Sequence, residues 1–325
     1  MRQASRQLAR RQWLLLALLV VACGGRTAIE NDDSSTMQAS GGSAGAAPYT
    51  WDWDQVMWED VMTEVVTYLW TGSVADTWAV VPDGSGTFQR AHWDGVAWTR
   101  TAVLNTPSVP FDDAQIWAAA KDEAFAGSSK NLQRWSGNGW TDWAGTPGCK
   151  AVAGSAANDL WCATASELWR FDGARWTPQA MMTGIRGILA RARNDVWLWG
   201  ELGASHFDGV RWSVEFVGLV KSVSVGGPDD LWVVQDGNLF HATKPGGPWT
   251  RENPTGGQIA SVWSESPTNT WIVAAGAAMR WDGSSWQLMP LPMQDERLLI
   301  SGSHEDIWIA GTQMLIHGHP TRKDR

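Results

Sequence analysis

Tyrosine is almost missing from this chain: 2 residues in 325, beside 7 Phe and 25 Trp. Cysteine is nearly as scarce, at 3. That is too few for the disulfide-dense frameworks of small secreted domains. With 44% hydrophobic residues, a chain of this length can bury a core of its own. Basic residues number 25 against 34 acidic, a net charge of −9. Binding to phosphates needs basic patches, so nucleic acid is not an expected partner. The strongly apolar run WLLLALLVVA, residues 13–22, is too short to span a bilayer as a stable helix. The H-E-x-x-H zinc pair, the G-x-S-x-G nucleophile elbow and a phosphate-binding glycine loop are all missing. No catalytic residue, metal or cofactor is assigned, and no enzyme activity is expected.

The apolar run follows Arg2, Arg6, Arg10 and Arg11 and leads into VVAC, residues 20–23. A basic start, a short apolar stretch and a small residue before a cut are the parts of an export signal. This segment resembles the bacterial lipoprotein signal. The resemblance implies a signal peptide over residues 1–22, lipidation at Cys23 and a membrane anchor. Gly24, where an Asp would favour inner-membrane retention, implies the outer membrane of a Gram-negative cell. Residues 23–48 are rich in Gly, Ser, Ala and acids, with little to bury, and read as the lipidated cysteine and a flexible tether.

What is plentiful is tryptophan, and it recurs at intervals. ADTW, AQIW, NDLW, NDVW, DDLW, TNTW and EDIW place Trp78, Trp117, Trp161, Trp197, Trp232, Trp271 and Trp308 at gaps of 39, 44, 36, 35, 39 and 37. A second phrase, aromatic-Asp-Gly-x-x-Trp, is written HWDGVAW, RFDGARW, HFDGVRW and RWDGSSW. Trp161, Trp197 and Trp271 each stand ten residues before its first aromatic. By this register copy one carries an insertion of five residues before Trp93, and copy two an insertion of eight before Trp135.

Within one copy, runs such as DVWLWG and DIWIAG read as buried strands. Asp-Gly is a strong hairpin signal. Each copy therefore supplies four antiparallel strands that cannot bury both faces alone. The expected fold is all-β, a seven-bladed propeller of four-stranded blades over residues 49–325; six and eight blades are the alternatives. Copy seven lacks a fourth strand, and the segment 49–61, with Trp53 and Trp58, is expected to supply it and remove an open sheet edge. The repeats resemble bacterial Trp- and Asp-Gly-rich propellers of secreted proteins and lipoproteins. A more distant likeness is to WD-repeat propellers and to the Asp-box hairpin of sialidases, from which this phrase departs because its Asp and Gly are adjacent.

The repeated Asp residues read as turn caps and the repeated Trp as inter-blade core. Cys149 and Cys162 flank the first hairpin of copy three, so they read as a cross-strand disulfide or as two separate buried thiols. His92 and His206 share a slot with Arg134, Arg170 and Arg280; His317 and His319 stand at an alternate spacing that could hold a metal, the lesser alternative, and no metal is assigned. Trp143, Trp199 and Trp263 fall outside both phrases and are better binding candidates than the repeated tryptophans. Loops where copies differ carry function more often than the frame. That nominates Asp83, and Lys121, Asp122, Glu123 and Trp143, as a binding patch on one shared rim. The expected function is a protein- or glycan-binding scaffold module with an envelope protein or glycan as partner. A glycan-active enzyme with a central-channel site and a purely structural envelope component are the alternatives.

Overall fold

The computed structural model describes residues 49–56, 66–82, 88–104, 115–127, 131–291, 298–304, 306–312 and 314–322. The leader, Cys23, Trp58 and Asp83 lie outside these residues. Among the described residues no helix is long and apolar enough to cross a membrane.

The chain opens with β1 (Tyr49–Val56). Blade 1 comprises β2 (Tyr68–Ser73), β3 (Asp76–Pro82), β4 (Phe88–Trp93) and β5 (Trp98–Leu104). Blade 2 comprises β6 (Ile116–Ala120), β7 (Glu123–Ala126), β8 (Gln133–Trp135) and β9 (Trp140–Asp142). Blade 3 comprises β10 (Ala151–Ala156), β11 (Asp159–Ala163), β12 (Glu167–Phe171) and β13 (Trp176–Met181). Blade 4 comprises β14 (Ile185–Ala192), β15 (Asp195–Gly200), β16 (Gly203–Phe207) and β17 (Trp212–Val217). Blade 5 comprises β18 (Val220–Gly227), β19 (Asp230–Gln235), β20 (Asn238–Ala242) and β21 (Thr250–Glu252). Blade 6 comprises β22 (Ile259–Ser266), β23 (Asn269–Ala274), β24 (Ala277–Trp281) and β25 (Trp286–Pro290). Blade 7 comprises β26 (Leu299–Ser303), β27 (Asp306–Gly311) and β28 (Met314–Arg322), with β1 as its fourth strand. The result is a seven-bladed β-propeller with four-stranded antiparallel blades.

The repeated tryptophan fills the seam between blades. Trp78, Trp161, Trp197, Trp232, Trp271 and Trp308 lie on second strands and are at most 1% exposed. In the seams of Trp78, Trp161, Trp232 and Trp308 the ring meets one or both aromatics that flank the next blade's turn between third and fourth strands, an Asp-Gly turn except in blade 2, where it is Ser136-Gly137. Trp78 meets Trp135 and Trp140 at 5.7 and 5.4 Å; Trp161 meets Phe207 and Trp212 at 5.5 and 5.7 Å; Trp308 meets Trp93 and Trp98 at 5.3 and 5.1 Å. These are edge contacts, which add about 0.5–1.5 kcal/mol per pair beyond the area buried. The two phrases are thus two halves of one joint, contributed by neighbouring blades.

The ring closes with the same joint. β28 has Gly318 where the third strands of five other blades carry Trp or Phe and that of blade 5 carries Ala242, and β1 pairs Trp53 with Gly318. A Cβ on Gly318 would lie 2.4 Å from the Trp53 ring, so only glycine leaves that ring its seat. Trp51 and Trp53 then pack on Trp271 of blade 6 at 4.6 and 6.4 Å, in place of the missing turn pair.

A side-chain unit braces each second-strand tryptophan. Asp230 accepts from Trp232 Nε1 at 3.0 Å and faces His241 Nε2 at 2.9 Å, while the His241 ring stacks on Trp232 at 3.9 Å. Asp76 with Trp78 and His92, Asp195 with Trp197 and His206, and Asp306 with Trp308 and His317 repeat it. In blade 6, Asn269 accepts from both Trp271 and Arg280; in blade 3, Arg170 bonds Asp159 and lies over Trp161. Burial pushes the Asp195 carboxyl upward, but its His206 hydrogen bond and the Arg191 charge outweigh that and hold it below the ordinary range.

Blade 2 corrects the sequence reading. Trp117 lies on the first strand β6, and Phe125 on β7 is the residue in the seam. Phe125 plus ten is Trp135, and Glu123 binds Arg134 as Asp159 binds Arg170. No eight-residue insertion precedes Trp135; the extra residues fall between β5 and β6. "AQIW" imitates the phrase because an isoleucine–tryptophan pair also suits an inner strand.

Candidate functional site

Strands that alternate in direction divide the turns between two rims. Turns between first and second and between third and fourth strands lie on the hairpin rim. Turns between second and third strands and the links between blades lie on the connection rim.

On the hairpin rim the turn aspartates are committed to their own turns, while Val74, Val96 and Val210 are exposed and a small depression of about 150 Å³ lies around Arg191, Asp195 and Asp208. Asp172 Oδ1 accepts from the backbone N–H of Ala174 and Arg175 at 2.9 and 3.0 Å, and Asp94, Asp208 and Asp282 cap their turns in the same way. Those bonds to Arg175 and Ala174 hold the Asp172 carboxyl below the usual carboxylate range. Gly209, at φ +94°, leaves a Cβ only 2.5 Å from Asn194 in the turn beside it, so the two hairpin turns of a blade abut.

The nominated patch does not assemble on one rim. Lys121 and Asp122 form the β6–β7 turn on the hairpin rim, and Glu123 is the brace of blade 2. Trp143 follows β9 on the connection rim, where it packs into a seam against Phe125, Phe171 and Trp176 at 5.8, 5.0 and 6.1 Å. The misassigned second strand of blade 2 is the physical reason: a shift of one strand moves a turn to the opposite rim. Cys149 and Cys162 are joined at 2.13 Å with Cα atoms 5.4 Å apart. His317 is committed to Asp306 and Trp308, and among the described residues no group of three His, Cys, Asp or Glu is arranged for a metal.

The connection rim carries three adjoining depressions. The central channel encloses about 480 Å³ and is walled by the first strands of all seven blades. Between blades 3 and 4 lies an apolar groove of about 340 Å³, with Met181, Met182, Ile185, Leu202 and Val214 in its wall. Met181, Leu202 and Val214 are 77%, 74% and 71% exposed. Between blades 5 and 6 a third depression of about 610 Å³ runs from Pro254 to Leu288. Trp199 belongs to the walls of both groove and channel, and Lys221 to both channel and third depression. Of the off-phrase tryptophans, Trp199 and Trp263 line the channel, together with Trp70 and Trp117.

Two cations stand at the channel mouth. Arg186 and Lys221 are second residues of β14 and β18, each between the register shifts Ile185/Gly187 and Val220/Ser222. A β-bulge of this kind re-aims the side chain of its extra residue. Arg186 Nη2 is 3.7 Å from Glu201 Oε1, both side chains well exposed, and its Nε is buried without a hydrogen-bond partner. Among the described residues the channel wall includes Arg186, Lys221 and five serines but no carboxylate. Sequence reasoning passed over these residues, although Lys150, Arg186 and Lys221 all stand eleven before a repeated tryptophan, at 161, 197 and 232.

No protein-family model and no curated protein matches the chain. Solved structures do, at the level of the fold. YCF48 bound to D1 peptide superposes with a TM-score of 0.61 at 14% identity, over 86% of this chain and 98% of that one. PorZ, a bacterial surface component of the type-IX secretion system of Porphyromonas gingivalis, gives 0.61 at 13%, over 78% of this chain and 46% of PorZ. The extracellular domain of BT4673 from B. thetaiotaomicron gives 0.58 at 10%, over 81% and 42%. At these identities the likeness is one of fold.

Proposed function

We propose that this propeller is an extracytoplasmic binding module that takes a polypeptide segment across its connection rim, without catalysing a reaction. The observation that carries the reading is the apolar groove between blades 3 and 4, open beside the channel, with Met181, Leu202 and Val214 exposed. Apolar side chains grouped and exposed in this way mark an interaction site more often than scattered ones do. A groove of about 340 Å³ is of a size to seat one or two apolar side chains. YCF48, a propeller of similar architecture bound to a peptide, and the bacterial extracellular propellers support the reading as examples of what the fold does. The export signal and Cys23 support placement on a membrane by acyl chains, at an outer membrane by the Gly24 rule. Substituting Cys23→Ser should then move the protein from the membrane to the soluble fraction.

The binding reading is tested by panning a random peptide library on the full chain. Related peptides with a shared apolar residue should be enriched, and the Met181→Glu/Leu202→Glu double variant, with unchanged melting, should lose them. No enrichment, or equal binding by the variant, would contradict it.

A further inference from the structure

We propose that the channel mouth is a carboxylate-binding site in which Arg186 and Lys221 hold an acidic side chain of the bound segment; this deepens the peptide-binding reading and rests on it. The first observation is placement. In a chain of net charge −9, two cations occupy corresponding positions on neighbouring inner strands, and the channel wall around them includes no Asp or Glu. Charge of one sign in a concave site focuses the field on a ligand of the other sign.

The second observation is backbone geometry. Both cations are the extra residues of β-bulges, which turn them out of the blade ladder. In blade 6 the corresponding bulged residue is Ala260, so the bulge alone does not require a cation. Lys150 stands just ahead of β10 at the same sequence distance from its tryptophan, and Arg297, outside the described residues, stands at that distance from Trp308. The basic choice therefore recurs at this place in four copies of the repeat.

The third observation is unused bonding capacity. Arg186 Nε is buried with no partner, and the nearest carboxylate, Glu201, is held only at 3.7 Å through Nη2. A guanidinium offers a planar fork that a carboxylate satisfies with two parallel bonds. Among the described residues no ion pair is formed by Lys221, which is exposed between the channel and the third depression. The apolar groove lies on the other side of Trp199. A segment with an apolar residue near an Asp or Glu would fill the groove with one and meet the cations with the other. An acidic polysaccharide would use the cations but leave the apolar groove empty, so the polypeptide is the better match.

The test uses an arrayed peptide library in which each apolar decamer appears with Asp or Glu and with the isosteric Asn or Gln. The full chain should bind the acidic member at least about tenfold more tightly, with affinity that falls as salt rises. Arg186→Gln/Lys221→Gln should erase that preference and the salt dependence while melting unchanged. Arg186→Glu/Lys221→Glu should reverse the preference towards Lys and Arg. Equal binding of acidic and amide members, or an acid preference that survives in the Gln variant, would overturn the site while leaving peptide binding intact. If no peptide binds, both readings fall; binding of oligogalacturonate instead would overturn the polypeptide as occupant.

Discussion

Two kinds of aspartate recur along the chain, five bracing the second strands and four capping turns, and they do different work. Asp230 is 2% exposed and receives bonds from Trp232, with Ser264 Oγ at 3.1 Å and His241 alongside. Asp208 is solvent-facing and caps only its own turn. Replacing Asp230 with Ala strands a buried indole N–H and an imidazole, so it should cost about 3 kcal/mol in urea unfolding. Asp208→Ala should cost clearly less; an equal loss would contradict the division of roles. The turn carboxylates also fix an acid response. Asp282 lies far below the ordinary carboxylate range because Ser284 and Ser285 donate to it. A carboxyl whose pKa is depressed on folding contributes stability that is complete above its unfolded value, about 3.9, and is lost as pH falls towards the folded one. The urea midpoint should therefore decline below about pH 4, and less steeply in Asp282→Asn. A variant with the wild-type slope would remove this residue from the explanation.

At the scale of elements, β1 is the strand on which ring closure depends. Trp51 and Trp53 replace a whole turn pair, and Gly318 leaves the space for one of them. Trp51→Ala/Trp53→Ala removes two large partly buried rings and should lower the melting temperature by roughly 10 °C, and Gly318→Val by less. Unchanged melting of the double variant would show that the ring does not depend on this seam. Most of this was legible in the sequence: the period of the second-strand tryptophan, its ten-residue spacing to the Asp-Gly phrase, and the missing fourth strand of the last copy. Blade 2 was misread because Ile116 and Trp117 resemble the phrase more closely than Ala124 and Phe125 do. The spacing rule itself points to Phe125, since Trp135 follows it by ten. The binding face was harder to see. Bulges at Arg186 and Lys221 are shifts of register between strands, and register is set by pairing partners outside the local segment.

At the scale of the whole molecule, the two rims are unlike. On the hairpin rim the aspartates bond their own turns and the glycines abut the neighbouring turn, leaving only a small depression of about 150 Å³. The connection rim holds the apolar groove, the channel mouth and a third depression in one line. The proposed binding function therefore lies on the rim opposite the conspicuous Asp-Gly phrase, whose repetition reflects the joint between blades. The most direct measurement is hydrogen–deuterium exchange of the full chain with and without a library-selected peptide. Slowed exchange at residues 181–186, 200–203 and 220–222, with the Asp-Gly turns at 94–97, 172–175, 208–211 and 282–285 unchanged, is the predicted result. Protection centred on those turns, with none on the connection rim, would contradict the assignment.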